Sequence, residues 1–237
     1  MDRNSKYKAH VLNLRELENA LIHFNRQLNY AVASNNPVAE KAFMKIYLLI
    51  IGAWAEVRLL KVLFERNSFD NDKINQIMEE RTLFLKWKKA VYLGFCKKYN
   101  VRGELTEGKI GFDAFSKYEK IQKLLDEDLE PLIAIRNNLA HGQWARTFNG
   151  ALSEISETRM QLLNLENPLS CKAKKITIEC MANIINDLVV GGAAFERDFN
   201  KHCNQLFNSS NRLRMQSYEK WKDNQIRKFK DRQTTPN

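Results

Sequence analysis

The sequence predicts an all-α protein, a helical bundle of about five long helices with a small irregular or hairpin insertion near residues 143–170. The chain of 237 residues contains only nine glycines and four prolines, too few for the many turns of an all-β fold. Hydrophobic residues make up 44% of it, which is enough for a sizeable core. Apolar residues recur at steps of three and four over long stretches, which is typical of helices that bury one face.

The first two helices are predicted over residues 8–33 and 37–66. Asn36 can cap the second helix, with Pro37 at its first position. The run Ile46–Ala55 is apolar nearly all round, so the second helix should lie at the centre of the domain. A membrane span needs about 20 apolar residues, so this shorter run predicts a buried core helix and no membrane anchor. The apolar stripe of the first helix comprises Leu14, Leu17, Leu21, Phe24 and Leu28.

A third helix is predicted over residues 70–99, with a basic side interleaved with aromatic residues. Such a side can contact phosphates and bases. It can equally be the solvated face of an ordinary amphipathic helix whose lysine stems cover apolar surface. The nearest candidates for substrate binding are Lys86, Lys88 and Lys89. Residues 100–111 hold three glycines and are predicted to form a loop.

The fourth helix is predicted over residues 113–141, and Pro131 should either kink it or restart it. Gly142 suits the left-handed position just past a helix end. The insertion at 143–170 contains the turn signal Asn149-Gly150. Within the insertion, the segment Arg159–Leu165 is predicted to form a short strand.

The fifth helix is predicted over residues 169–207, with Gly191-Gly192 inside it as a weak point. We therefore divide the chain into a helical domain over 1–210 and a basic C-terminal extension over 211–237. The tail at 211–232 has eight basic and three acidic residues, a net charge of +5. It is either a helix that binds RNA or a partner, or a frayed and solvated end.

The net charge of +10 is compatible with a polyanionic partner such as nucleic acid, or simply with a lysine-rich surface. Four cysteines have no spacing that suits a zinc site, and the polar N-terminus does not resemble a signal peptide. The expectation is a cytoplasmic protein with reduced thiols and with neither a metal nor a cofactor. No phosphate loop, nucleophile elbow or dinucleotide fingerprint occurs in the sequence.

Only one of the four histidines, His141, lies beside other groups suited to catalysis. His10, His23 and His202 are interpreted as surface or boundary residues. His141 follows Arg136, Asn137 and Asn138 at the end of the apolar fourth helix. Arginine offers a rigid fork of donors that fits a phosphate, and histidine can move a proton near neutral pH.

Those two groups suffice to break RNA without a metal. The ribose 2′-hydroxyl must lose a proton and attack phosphorus, and the departing 5′-oxygen must gain one. Arg136 would stabilise the phosphorane charge, His141 would move one of the protons, and Asn137 would hold the phosphate or orient His141. Asn138 and the three lysines would bind substrate. Glu56 either forms a peripheral salt bridge or orients a cation of the site, and Arg136 is its candidate partner.

The segment Ile-Arg-Asn-Asn-Leu-Ala-His-Gly at 135–142 resembles the signature of the HEPN (higher eukaryotes and prokaryotes nucleotide-binding) family, an Arg followed after four to six residues by His. Arg136, Asn137 and His141 match that motif. The resemblance covers roughly residues 8–207 and is sharp only at the motif. The insertion at 143–170 and the basic tail depart from a minimal bundle of the family.

The resemblance implies a metal-independent endoribonuclease that cleaves single-stranded or loop RNA as a homodimer with a composite site. It also implies a toxin or an anti-phage defence effector, with an antitoxin or a defence-system protein as a possible partner. The alternative is a catalytically inactive HEPN-like module that binds nucleic acid or a partner, as an antitoxin or a regulatory subunit.

Overall fold

The computed structural model describes residues 1–149 and 153–234, and within those ranges the fold is all-α, as predicted. Its one pairing of extended backbone among the described residues joins Phe148 and Ile155. The helices are α1 (Arg3–Ala33), α2 (Pro37–Phe64), α3 (Asn71–Met78), α4 (Leu83–Tyr99), α5 (Glu107–Ile110), α6 (Phe112–Leu124), α7 (Glu130–Ala140), α8 (Glu157–Asn164), α9 (Pro168–Val190), α10 (Gly192–Met215) and α11 (Tyr218–Thr234).

Side-chain caps set where the first two helices begin. The Asp2 carboxylate accepts a hydrogen bond from the Ser5 backbone N–H at 3.0 Å, so α1 begins at Arg3 rather than at residue 8. Asn36 caps α2 through the Ala39 N–H at 3.0 Å, and Pro37 follows at the first position, as predicted. Helix α2 ends at Phe64, close to the predicted residue 66.

Three of the predicted long helices are each divided, so the bundle has more helices than the five expected. The predicted helix at 70–99 is α3 and α4, because the Thr82 hydroxyl accepts the Leu85 N–H and starts a new helix. The predicted helix at 169–207 is α9 and α10, because Gly191 and Gly192 both adopt positive φ angles, 66° and 57°. The continuous helix predicted over 113–141 is α6 and α7 joined by a π-helical turn, Leu125–Leu129.

Pro131 accounts for the π turn, because proline has no N–H to continue the ladder of hydrogen bonds. It lies in the first turn of α7, which is the restart that the sequence allowed. The loop predicted at 100–111 is mostly irregular but contains the single helical turn α5.

The insertion contains a hairpin-like pairing and a helix. The Phe148–Ile155 pairing agrees with the small hairpin that was predicted, and Gly150 of the predicted Asn149-Gly150 turn lies outside the described residues. The predicted strand at Arg159–Leu165 is wrong, because these residues belong largely to α8. Ser156 begins that helix by accepting the Arg159 N–H, so a polar cap overrides the apolar pattern.

Helix α2 lies at the centre of the bundle, as its apolar character predicted, and packs against α1, α7 and α9. Leu48, Ile51 and Trp54 on α2 are completely buried. Among the described residues, no helix combines the length and the apolar character that crossing a bilayer requires.

The basic tail forms α11, which packs along α1. Tyr30 and Phe229 meet edge to face with ring centroids 5.7 Å apart. Glu40 on α2 accepts hydrogen bonds from the Tyr218 hydroxyl and from Lys222, the latter at 2.9 Å. Helix α10 runs through the boundary drawn at residue 210. The tail is therefore a docked helix rather than a frayed end.

Candidate active site

Arg136 projects from α7 onto α2 and packs closely against it. Its stem lies against Gly52, where a Cβ would be only 2.5 Å from the Arg136 Cγ and 2.6 Å from its Cβ. Glycine is therefore required at position 52 for this approach, and any larger residue would displace the arginine. The close contact fixes the direction in which the guanidinium leaves the helix.

The guanidinium of Arg136 is held by two oxygen acceptors. Its Nη2 donates to the Glu56 carboxylate at 2.8 Å, and its Nη1 donates to the Asn137 side-chain oxygen at 3.0 Å. Both side chains of the Arg136–Glu56 pair remain partly exposed, so the pair contributes little to stability. The pair orients the guanidinium and leaves its remaining N–H groups free to donate to an anion. Glu56 is thus the partner of Arg136, one of the two interpretations that the sequence left open for it.

His141 occupies the C-terminal cap of α7 and is exposed to solvent. Its backbone N–H still donates to the Asn137 carbonyl at 3.1 Å, and Gly142 then turns the chain with φ of 76°. The left-handed glycine at this position was predicted. The helix therefore stays close to regular up to His141 and unwinds immediately after it.

The turn after His141 is fixed by Trp144. The indole N–H of Trp144 donates to the Leu139 carbonyl at 2.9 Å, and Lys45 Nζ donates to the Trp144 carbonyl at 2.5 Å. Burial, with the charge of Lys41 as a second cause, lowers the pKa of Lys45. These contacts tie the helix end that carries His141 to the N-terminal half of α2.

A step of five residues on a near-regular helix rotates by about 140° and rises by about 7.5 Å. Arg136 and His141 therefore leave α7 in different directions. Within one chain, Arg136 faces α2 and its carboxylate, whereas His141 is exposed at the helix end.

A cleft of about 530 Å³ opens beside Arg136. Its walls come from the middle of α2, the α3–α4 junction, α7 and α8. The polar residues that line it are Glu56, Arg81, Thr82, Lys86, Glu130, Arg136, Asn137, Asn138 and Arg159. Four basic side chains thus face two carboxylates, and a cleft with that balance favours anionic ligands.

Of the three lysines predicted to bind substrate, only Lys86 lines this cleft. Lys88 donates to Asp126 at 2.8 Å, and Lys89 lies 5.8 Å from the centre of the Tyr92 ring. Neighbouring residues on a helix point in different directions, so lysines that are close in sequence need not line the same cleft. Sequence reasoning missed Arg81 and Arg159, because Arg81 lies in a turn and Arg159 in the supposed strand.

The other histidines and the cysteines lie outside the cleft. His202 Nδ1 lies 2.6 Å from a carboxylate oxygen of the buried Asp187, a partner that the sequence did not reveal. His10 stacks on Phe64 with ring centroids 5.6 Å apart.

The four cysteines are buried free thiols, and burial raises the pKa of Cys180 to about 11. Within the described ranges, no group of three His, Cys, Asp or Glu side chains is placed to hold a metal ion.

Comparison of the chain with protein-family models, with curated proteins and with solved structures gave no match.

Proposed function

We propose that this protein is a metal-independent endoribonuclease that cleaves single-stranded or loop RNA through attack by the ribose 2′-hydroxyl. The observation that carries the proposal is the placement of Arg136. Its guanidinium is oriented by Glu56 at the edge of a basic cleft, and His141 lies at the end of the same helix. The resemblance of residues 135–142 to the HEPN signature supports the same chemistry.

In the proposed reaction, the 2′-oxygen loses its proton and forms a bond to phosphorus while the bond to the 5′-oxygen breaks. The 5′-oxygen takes up a proton, and the other product ends in a 2′,3′-cyclic phosphate. Arg136 stabilises the negative charge on the phosphorane oxygens. His141 transfers one of the two protons, and Asn137 holds the scissile phosphate or orients His141.

The active form in this proposal is a homodimer, because Arg136 and His141 of one chain leave α7 in different directions. A two-fold axis near the ends of the α7 helices would bring His141 of one chain to Arg136 of the other. The proposed setting is the cytoplasm, as a toxin or an anti-phage effector that an antitoxin or another defence protein restrains.

The test is cleavage of an unstructured RNA in EDTA by the purified wild type and by His141→Ala. His23→Ala is the matched control, because His23 is an exposed histidine on α1, away from the cleft. We expect His141→Ala to abolish cleavage with an unchanged circular dichroism spectrum, and His23→Ala to cleave like the wild type. Salt-sensitive RNA binding without turnover by the wild type would instead identify a binding module.

A further inference from the structure

The cleft beside Arg136 is assembled from four separate parts of the chain. Leu59 and Leu60 come from α2, Met78 and residues 81–84 from the α3–α4 junction, Ile133 and Ala134 from α7, and Arg159 from α8. Its volume of about 530 Å³ lies within the usual range of small-ligand sites, roughly 300–1,000 Å³. That is room for a nucleotide unit and too little for a duplex.

The cleft lining contains both apolar and charged side chains. The apolar lining residues are Leu59, Leu60, Met78, Leu83, Phe84, Ile133 and Ala134. Among the charged ones, Glu56 is already paired with Arg136, which leaves Arg81, Lys86 and Arg159 with the single carboxylate of Glu130. A lining of apolar side chains and cations suits a flat heterocycle whose sugar is attached to phosphates.

Asn138 presents its side-chain amide to this cleft. Only 6% of the residue is exposed, and it lines the cleft. None of the hydrogen bonds among the described residues involves its side-chain amide. Its amide atoms are open to the cleft and not engaged by the described part of the protein, so they can hydrogen-bond to a ligand that enters the cleft. An amide offers both a donor and an acceptor, and so it can pair with the edge of a nucleobase.

We infer that this cleft binds one unpaired nucleotide of the RNA next to the scissile phosphate, with its base against the apolar lining residues and its edge hydrogen-bonded to Asn138. Arg81, Lys86 and Arg159 bind the flanking phosphates. The inference rests on the proposed function for its choice of RNA as the ligand. It makes Asn138 the residue that determines base preference.

The same arrangement gives the insertion at 143–170 a role. Arg159 reaches the cleft from α8, and its Nη1 also donates to the Phe148 carbonyl at 3.0 Å, on the paired segment of the insertion. The insertion therefore holds a cation in place over the cleft. On this inference, the insertion forms part of the substrate-binding surface.

The experiment measures binding without cleavage. Fluorescently labelled 2′-O-methyl hexanucleotides of A, C and U cannot be cut by 2′-hydroxyl attack, and their dissociation constants can be measured by anisotropy in EDTA at several salt concentrations. We expect the wild type to prefer one base by about tenfold, the size of one good amide–base pairing. Asn138→Ala should bind all three hexamers with similar affinity.

Arg81→Ala and Arg159→Ala should keep the base preference while binding more weakly. Each should also lower the slope of log K against log salt by about 0.7, the value for one phosphate contact on a single strand. Lys123→Ala is the matched control, because Lys123 is an exposed cation on α6 that does not line the cleft. It should bind like the wild type.

Equal affinity of the wild type for all three bases would overturn the role of Asn138. Unchanged binding in both Arg81→Ala and Arg159→Ala would overturn the cleft as the binding site, and Arg81 is exposed, so its variant should fold. Base-selective binding by a protein that cuts no RNA would leave this inference standing and reject the nuclease. If the protein cleaves RNA but these substitutions leave its RNA binding unchanged, the nuclease proposal stands and this inference is rejected.

Discussion

Gly52→Ala should reduce cleavage strongly while leaving the protein folded. The added Cβ would lie 2.5 Å from the Arg136 Cγ and 2.6 Å from its Cβ. Carbon atoms in contact prefer about 3.5–4.0 Å, so the Arg136 stem must move by about 1 Å. The position of a Cβ is fixed by the backbone, so a new rotamer cannot relieve the second contact and the backbone of α7 or α2 must shift.

The cost to stability should be modest because two effects oppose each other. Crowding at such a contact costs about 1–3 kcal/mol, and replacing a mid-helix glycine by alanine recovers up to about 1 kcal/mol. For a chain of this size, a net loss of ~1 kcal/mol lowers the melting temperature by about 2–4 °C. A displacement of about 1 Å at a catalytic group can cost about a hundredfold in rate, so activity should fall far more than stability.

Gly94→Ala is the matched control, because Gly94 is also a glycine inside a helix that packs on a neighbour. There the added Cβ would be 3.4 Å from Leu188 Cδ1 and 3.9 Å from Val189 Cγ1, which is close to ordinary contact. We expect this variant to be as stable as the wild type or more so, with unchanged cleavage. Wild-type cleavage by a folded Gly52→Ala protein would refute the role assigned to the α2–α7 contact.

Three further predictions concern single contacts. Glu56→Gln keeps an acceptor for Arg136 but removes the negative charge of the carboxylate. The free energy of unfolding should change by less than about 1 kcal/mol, whereas cleavage should fall by roughly tenfold or more. Equal cleavage rates of the variant and the wild type in a single-turnover assay would contradict the orienting role. Burial, with the charge of Lys6 as a second cause, lowers the pKa of His10, so its contribution to stability is complete above about pH 6.5 and is lost as the pH falls through its folded pKa. Urea unfolding at a series of pH values should therefore show a smaller loss of stability on acidification in His10→Phe than in the wild type, and equal losses would count against this explanation. Tyr218→Phe removes one hydrogen bond to Glu40, so the melting temperature should fall by about 2–4 °C without a change in cleavage; an unchanged melting curve would show that α11 is not held there.

The parts of the fold that the sequence predicted well are those in which local chemistry and burial agree. Asn36 and Pro37 mark the start of α2, and the apolar run that follows places this helix at the centre. The breaks were predicted less well, because a continuous apolar stripe can pass through a point where the backbone changes direction. Thr82 and the pair Gly191-Gly192 interrupt helices whose side-chain pattern continues on both sides.

The candidate site likewise contains residues that the sequence pointed to and residues that it did not. The sequence made Glu56 a candidate partner for Arg136 because each interrupts an otherwise apolar helix, and a charge on such a face needs a partner. Arg81 and Arg159 could not be assigned to the cleft, because their placement depends on how the α3–α4 turn and the insertion fold back on α7. Tertiary packing, rather than any local pattern, brings these cations together.

The most direct test of the central claim is the chemistry of the RNA ends. A short unstructured RNA cut in EDTA, and the same RNA with a 2′-deoxyribose on the 5′ side of each cleaved bond, can be compared by mass spectrometry. Attack by the 2′-hydroxyl would leave a 2′,3′-cyclic phosphate on the upstream product, and we expect no cleavage at the substituted positions. Products that carry a 5′-phosphate, or cleavage that continues at the 2′-deoxy positions, would contradict it.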